Sequence, residues 1–169
     1  MTQLHLLPWS ACQAQAMPLR HAVFAQEKGI PPELMGDEAD ATAVHVLVTN
    51  HLGLALATGR MVLPASLSAP SGSAAPTPGQ QAGQGRRTGQ VGRMAVLHAQ
   101  RSQGLGARML HALLQQAREL GLDDVVLHAQ LGAVDFYARH GFECQGEVFE
   151  AAGLPHQTMV LNLAADTGA

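Results

Sequence analysis

A short glycine-containing turn, Arg101-Ser102-Gln103-Gly104-Leu105-Gly106, carries the clearest chemistry in this sequence. It lies between a predicted strand, Arg93 to Leu97, and a predicted helix whose apolar residues recur at helical spacing up to Leu120. Glycines at the start of a helix let the backbone approach a ligand. The unpaired N–H groups of the first turn, together with the helix dipole, attract an anion. The pattern therefore predicts a phosphate site made largely of main chain, with Arg101 as the adjacent positive charge.

The turn does not fit two common nucleotide-binding motifs. A dinucleotide fold requires G-x-G-x-x-G, and Met109 occupies the third glycine position, although Asp123 and Asp124 lie near the expected acidic position. A P-loop ends in Gly-Lys followed by Ser or Thr, which this turn lacks. On these six residues alone, a phosphate loop of another kind and a strand-to-helix turn without a ligand both remain open.

The surrounding elements must position this turn, and their order predicts a mixed sheet with helices on both faces. Ser10 is expected to cap a short helix and Pro18 to start a second one, while Gly29, Gly121 and Gly141 are helix stops. The alternating or β-branched segments predict strands at 4–7, 43–49, 53–62, 93–97, 123–129, 142–149 and 156–163, and the last two helices at 105–120 and 131–140.

Length and composition indicate a single domain over residues 1–169. Residues 66–89 are nearly all Ala, Ser, Pro, Gly, Gln and Thr, which predicts a flexible loop inserted between two strands, and residues 164–169 are expected to form a tail. The alternative for residues 66–89 is a functional loop, because so long a connection is unusual in a compact domain.

Charge and cysteine usage exclude several classes of protein. A formal net charge of −3 with 14% charged residues disfavours a general nucleic-acid binder. Cys12 and Cys144 form no metal or disulfide pattern, and nine histidines without paired spacing give no metal site. The sequence shows neither a signal peptide nor an apolar run long enough for a membrane span, so a reducing cytoplasm is expected.

Several local patterns together resemble the GNAT superfamily of N-acyltransferases. The Arg101 turn resembles the acyl-CoA diphosphate loop of that family, and residues 133–142 match its A-x-x-F-Y-x-x-x-G-F helix signature. Residues 20–31 read R-x-x-V-F-x-x-E-x-x-I-P, as in a small single-domain subgroup, and Asp37, Glu38 and Asp40 fit the same subgroup. The resemblance covers almost the whole chain apart from residues 66–89 and the tail. It implies an α/β (α+β) GNAT fold with a mixed, mostly antiparallel twisted sheet of about six to seven strands.

The resemblance implies an acetyl-CoA-dependent N-acetyltransferase that moves the acetyl group directly to a primary amine in a ternary complex. Tyr137, the only tyrosine, falls on the family position whose hydroxyl meets the CoA sulfur and is expected to act as general acid. The backbone of the strand is expected to pair with the pantetheine arm, and the turn to hold the diphosphate. The implied cofactor-binding residues are Met94, Ala95, Val96, Arg101, Ser102, Gln103, Gly104, Leu105, Gly106 and Ala107.

The acceptor end is less defined in the sequence. Glu27, His45 and His156 are candidate substrate residues, and Asp37, Glu38 and His98 join Glu27 and His45 as candidates for the base. The acidic cluster of Asp37, Glu38 and Asp40 either attracts a cationic amine or forms a capped turn. Cys144 reads as a sheet residue rather than a nucleophile. The alternatives to an enzyme are a non-catalytic acyl-CoA-binding or regulatory module and a structural partner protein, and a homodimer is expected from the resemblance alone.

Overall fold

A seven-stranded mixed sheet in the order β1-β2-β3-β4-β5-β7-β6 forms the centre of the computed structural model, which describes residues 1–68 and 87–163. All neighbouring strands are antiparallel except β4 and β5, which run parallel. The predicted mixed, mostly antiparallel sheet is therefore confirmed. The strands are β1 (Thr2–Leu7), β2 (Val44–Asn50), β3 (Ala55–Val62), β4 (Thr88–Val96), β5 (Asp124–Gln130), β6 (Glu143–Ala151) and β7 (Leu154–Asn162).

Helices cover both faces of this sheet, as predicted. One apolar cluster joins Cys12 and Leu19 of the first helix to Leu47 of β2. A larger cluster on the opposite face joins Met109 and Leu113 of the third helix to the other inward side chains of the sheet. The helices are α1 (Trp9–Arg20, continued by a π-helix over His21–Glu27), α2 (Ala65–Ser68), α3 (Leu105–Glu119) and α4 (Val134–Ala138), with 3₁₀ turns at Pro32–Leu34, Glu38–Ala41, His98–Gln100 and Leu131–Ala133.

The parallel strands β4 and β5 are paired over only half of their length. Residues Thr88 to Val91 pair with Asp124 to Leu127, and the register stops there. The edge of β4 from Gly92 to Val96 is therefore free of β5, and a cleft opens at the carboxyl ends of the two strands. Open α/β sheets bind ligands at this position.

A β-bulge lies in β4 at the wall of that cleft. Thr58 of β3 faces Ala95 and Arg60 faces Gly92, so Arg93 and Met94 together oppose Gly59. Arg93 has a φ of 53°, the left-handed conformation found at the first residue of a G1 bulge, where glycine is usual. A Cβ atom at Gly59 would overlap the sulfur of Met94, so a glycine there lets the bulged strand pack against β3.

Four local predictions were wrong. The first helix begins at Trp9 with Pro8 as its N-cap, so Ser10 does not cap it, and Pro18 lies inside α1 and does not start a second helix. The helix continues through Pro18 because one face buries Cys12, Ala16 and Leu19, and this packing outweighs the hydrogen bond that proline cannot donate. The last two strands extend beyond the predicted bounds 142–149 and 156–163 toward a two-residue turn at Ala152 and Gly153, whose φ values of 52° and 78° are those of a type I′ turn.

The fourth error concerns the loop over residues 66–89. Strand β4 already begins at Thr88, and α2 extends to Ser68. Gly89 pairs with Val125 in the parallel ladder, so a polar composition did not prevent strand formation next to β5. The rest of that prediction, over residues 69–86, and the predicted tail lie outside the described residues. No helix among the described residues is long and apolar enough to cross a membrane.

Candidate functional site: a glycine turn and a cleft between parallel strands

The predicted phosphate turn leads into the N-terminus of α3. Ser102 and Gly104 both have positive φ, 68° and 80°, which curls the turn back toward the helix axis. Within the described residues, no carbonyl or side chain accepts a hydrogen bond from the backbone N–H groups of residues 102–107. A cavity of about 220 Å³ lies directly against this turn. Free N–H groups at the positive end of a 15-residue helix form an anion-binding surface.

The floor of this cavity is formed by α4. A Cβ atom at Gly106 would lie 3.4 Å from the ring of Phe136, so a larger side chain there would fill the space above the ring. Val96, at the end of β4, also lines the cavity. The predicted turn, strand end and helix signature are therefore brought together at one place.

The side chain of Arg101 is held by the protein itself. Its Nε donates a hydrogen bond of 3.0 Å to the carbonyl of Val96, and its two terminal nitrogens lie 2.8 and 2.9 Å from the carboxylate of Glu27. Glu27, a predicted substrate residue, lines neither cavity and is paired with Arg101. His98, a predicted base, lies 3.3 Å from Arg101 and also lines neither cavity. The charge of Arg101 is thus balanced by Glu27, and the backbone N–H groups of residues 102–107 remain as hydrogen-bond donors of the turn.

A second, larger cavity of about 880 Å³ continues from the first into the cleft between β4 and β5. The two cavities share Val96, Arg101, Gly106 and Phe136. The larger cavity follows the free edge of β4 from Val96 to the bulge at Met94 and Arg93. A ligand bound along β4 would thus extend from the α3 N-terminus to the middle of the sheet.

Tyr137 lies on the wall of this cleft, where sequence analysis placed the general acid. Its side chain is buried, with 8% exposure, between Phe136 and Phe142. Burial raises the pKa of Tyr137 to about 12 because the phenolate would be poorly solvated. The hydroxyl is therefore protonated throughout the neutral pH range and available as a hydrogen-bond donor.

Two histidines, His128 and His156, also line the cleft. The Nδ1 of His156 donates a hydrogen bond of 2.8 Å to the carbonyl of Leu154, which leaves Nε2 as the acceptor of the neutral ring. His128 lies 3.1 Å from the hydroxyl of Thr158, and both histidine rings contact Phe149. His156 was predicted from the sequence, whereas His128 and Phe149 were missed because strand alternation alone does not show which face of β5 or β6 meets the cleft.

The predicted acidic cluster does not line the cleft. Asp40 is 2% exposed and accepts two hydrogen bonds of 2.9 Å from Arg20. Asp37 accepts hydrogen bonds of 2.5 and 3.0 Å from Arg60, which also contacts Asp40 at 2.9 Å. Asp37 also caps the 3₁₀ turn Glu38–Ala41. Of the two alternatives from the sequence, the structure has the capped turn, in which Asp37 and Asp40 are paired to buried arginines and Glu38 is exposed.

His45, the remaining predicted substrate residue, belongs to this buried cluster. It is fully buried, its Nε2 donates to the carbonyl of Asp40 at 2.8 Å, and it lines neither cavity. Burial lowers the pKa of His45, so the ring is neutral and structural in role. Within the described residues no group of three metal-binding side chains occurs.

Comparisons with known proteins agree with this geometry. The family model described as "Acetyltransferase (GNAT) domain" matches residues 76–163, just over half of the chain. An uncharacterized N-acetyltransferase, YjcF of Bacillus subtilis, is 30% identical over 149 residues, which are 86% of this chain and 89% of that protein.

Two solved structures share the fold over nearly their whole length. An acyl-CoA N-acyltransferase from Pseudomonas aeruginosa is 25% identical with a TM-score of 0.75, covering 95% of this chain and 99% of that one. ElaA of Escherichia coli is 24% identical with a TM-score of 0.75, covering 96% and 100%, and supports the fold alone. The chain therefore belongs to the GNAT family of acetyltransferases, which use an acyl-CoA co-substrate and an amine acceptor.

Proposed function

We propose that this protein transfers the acetyl group of acetyl-CoA directly to a primary amine in a ternary complex. The observation that carries this proposal is the continuity of the two cavities. An anion-binding helix N-terminus leads, along a free strand edge, to a buried tyrosine hydroxyl. The donor would span the first cavity and the strand edge, and the amine would enter from the other end of the cleft.

The donor is held mainly by backbone. The diphosphate binds the N–H groups of residues 102–107, where no side chain is needed to supply donors. The pantetheine arm lies along Met94 to Val96 and pairs with the free edge of β4 as an added strand would. An N–H group of the same edge stabilises the oxyanion that forms on the thioester carbonyl.

The transfer forms one C–N bond and breaks one C–S bond. The amine, once it has lost its ammonium proton, attacks the thioester carbonyl. The tetrahedral intermediate then expels the thiolate and loses a second proton from nitrogen. The sulfur gains one proton, so the net products are the amide, CoA thiol and one proton. Tyr137 donates a hydrogen bond to the departing sulfur and acts as general acid.

His156 is placed to accept the proton of the amine. Because its Nδ1–H is fixed on the carbonyl of Leu154, the neutral ring offers the Nε2 lone pair to the cleft side of β7. The proposed site does not include Glu27, which is paired with Arg101, or His45, which is fully buried.

The first test is a thermal melt with acetyl-CoA, with NADH as the control ligand. A ligand at ~100 times its dissociation constant stabilises the folded state by ~2.7 kcal/mol. For a chain of this size the expected rise in Tm is roughly 5–10 °C. Longer acyl-CoA thioesters in parallel show whether acetyl is the preferred group. A shift followed by acetyl-CoA-dependent thiol release with an amine supports the enzyme.

A shift with acetyl-CoA but no thiol release with any amine would favour a non-catalytic acyl-CoA-binding module. No shift at millimolar acetyl-CoA would contradict the proposed donor site.

A further inference from the structure

The charges on the wall of the cleft are all positive. Among the described residues, its charged lining consists of Lys28, Arg93 and Arg101, and no aspartate or glutamate takes part. The charge of Arg101 is neutralised by Glu27. A site that selects a polycationic amine would need the opposite arrangement, because like charges brought together in a partly buried cleft repel.

Arg93 holds a surplus charge. Three guanidinium groups, those of Arg20, Arg60 and Arg93, contact the same two carboxylates, which belong to Asp37 and Asp40. Arg20 binds Asp40 through two hydrogen bonds, and Arg60 does the same with Asp37. Among the described residues, only a 3.4 Å contact to Asp37 remains for Arg93. Its Nε is buried and has no hydrogen-bond partner in the part of the chain that the structure describes, although the side chain is 30% exposed.

The surroundings of Arg93 favour a second anion. Burial and the neighbouring charge of Arg60 lower the pKa of the Arg93 guanidinium, since both disfavour the charged form. A carboxylate arriving in the cleft would offset both effects. Guanidinium and carboxylate also match in geometry, because each is planar and two parallel hydrogen bonds can join them.

Arg93 lies at the end of the cleft that the donor does not need. The diphosphate turn adjoins Val96, and Arg93 precedes Val96 by three residues, roughly 10 Å along an extended strand. The bulge that gives Arg93 its positive φ lies between the two strand halves, next to the site of the thioester. An anion on Arg93 would therefore belong to the acceptor.

The wall beyond Arg93 is apolar. It is formed by Val23, Phe24, Ile30, Leu34 and Met35, from the end of α1 and the turn that follows it. Leu34 is 46% exposed and Met35 is buried, so the wall runs from solvent into the cleft. An apolar surface beside one cation suits a ligand with an anionic head and a hydrocarbon body.

From these observations we propose that the acceptor is an amine that carries a carboxylate and an apolar body, as in a hydrophobic amino acid, with its carboxylate bound by Arg93. This inference rests on the proposed acetyl transfer and names the substrate class of the same site. Arg93 acts as a specificity-determining residue, and Lys28 adds positive charge at the entrance.

Thiol release from acetyl-CoA with four acceptors tests this proposal. Leucine and 6-aminohexanoate carry the carboxylate at two distances from the amine, isopentylamine lacks it, and spermidine is polycationic. We expect kcat/KM for the better amino carboxylate to exceed that for isopentylamine by roughly 10- to 100-fold, the effect of one charge-assisted hydrogen bond. Arg93→Gln should raise the KM for that amino carboxylate by a similar factor and change the KM for isopentylamine less than about threefold.

In the comparison of Arg93→Gln with the wild type, each acceptor serves as its own reference, so differences in amine basicity cancel. Arg118→Gln, which removes a positive charge outside the cleft near the end of α3, is the matched control and should leave both KM values unchanged. The acetyl-CoA-dependent rise in Tm shows whether Arg93→Gln is folded. If that variant does not fold, Arg93→Lys keeps the charge and should show a smaller rise in KM for the amino carboxylate alone.

Preference for spermidine or isopentylamine would overturn the proposed acceptor while leaving acetyl transfer standing. An equal loss with every acceptor in Arg93→Gln would assign Arg93 a purely structural role and overturn it as well. No thiol release with either amino carboxylate, despite a rise in Tm with acetyl-CoA, would overturn this inference, whereas acetyl transfer itself is overturned only if no amine gives thiol release.

Discussion

Replacing Asp40 by asparagine tests whether the buried carboxylate holds the arginines behind the cleft. Asp40 receives hydrogen bonds from Arg20, from Arg60 and from the backbone N–H of Asp37 at 3.1 Å. Burial by itself would raise the pKa of Asp40, but the hydrogen bonds and charge of Arg20 more than offset it and lower the pKa to about 2. The ionised form of the Asp40 carboxyl is therefore more stable in the folded protein than in the unfolded chain.

The size of the effect follows from that pKa. An aspartate in an unfolded chain has a pKa of about 3.9, and each pKa unit is worth about 1.4 kcal/mol, so ionised Asp40 stabilises the fold by about 2–3 kcal/mol. Asp40→Asn removes this contribution and leaves Arg20 buried beside a neutral amide. Breaking a buried pair by removing one partner costs about 3–5 kcal/mol, which is the expected loss in the free energy of unfolding.

Urea unfolding at pH 7 measures this loss, and Asp37→Asn is the matched control. The Asp37 side chain is 44% exposed, so water can replace its contacts and a clearly smaller loss is expected. Because the folded pKa of Asp40 is lowered, its contribution is complete above about pH 4 and disappears as the pH falls toward 2. A loss below about 1 kcal/mol in Asp40→Asn, or the same acid sensitivity in wild type and variant, would refute this account of the cluster.

Two further predictions concern the cleft itself. Tyr137→Phe should lower kcat by roughly 10- to 1000-fold while keeping the acetyl-CoA-dependent rise in Tm, since it removes only the proton donor; unchanged turnover at saturating substrate would exclude Tyr137 from the mechanism. Gly59→Ala should cost about 1–3 kcal/mol of stability and weaken acetyl-CoA binding, because the new methyl group displaces Met94. Gly92→Ala is the matched control, because a Cβ atom there meets nothing within 4 Å, and it should change stability by less than about 0.5 kcal/mol. Equal losses of stability in Gly59→Ala and Gly92→Ala would contradict the proposed clash with Met94.

Much of the fold could be predicted because its signals are local. The apolar spacing of α3 from Leu105 to Ala117 and the glycine stop at Gly121, with a φ of 75°, depend on neighbouring residues only. The helix containing Pro18 was divided in two because the burial of its Cys12 and Leu19 face, which outweighs proline, is a tertiary effect.

The proposed donor half of the site likewise depends on local signals. The turn from Arg101 to Gly106 and the signature around Tyr137 are short continuous segments, and the structure brings both to one cavity. What the sequence did not show is the pairing of Arg101 with Glu27, which are 74 residues apart. Because that pairing balances the charge of Arg101, the proposed diphosphate site relies mainly on the main chain of the turn.

The acceptor half depends on long-range charge pairing, and here a pattern in the sequence pointed the wrong way. Three acidic residues close together, Asp37, Glu38 and Asp40, suggest attraction of a cation when considered alone. In the fold, Arg20 and Arg60, each 20 residues from Asp40, pair with Asp37 and Asp40, whereas Glu38 is exposed. Among the Asp, Glu, Lys and Arg residues that the structure describes, only Lys28, Arg93 and Arg101 line the cleft, and Arg93 has just a 3.4 Å contact to the already paired Asp37. The cleft therefore has the charge that the proposed amino carboxylate acceptor requires, although the segment beside it is acidic.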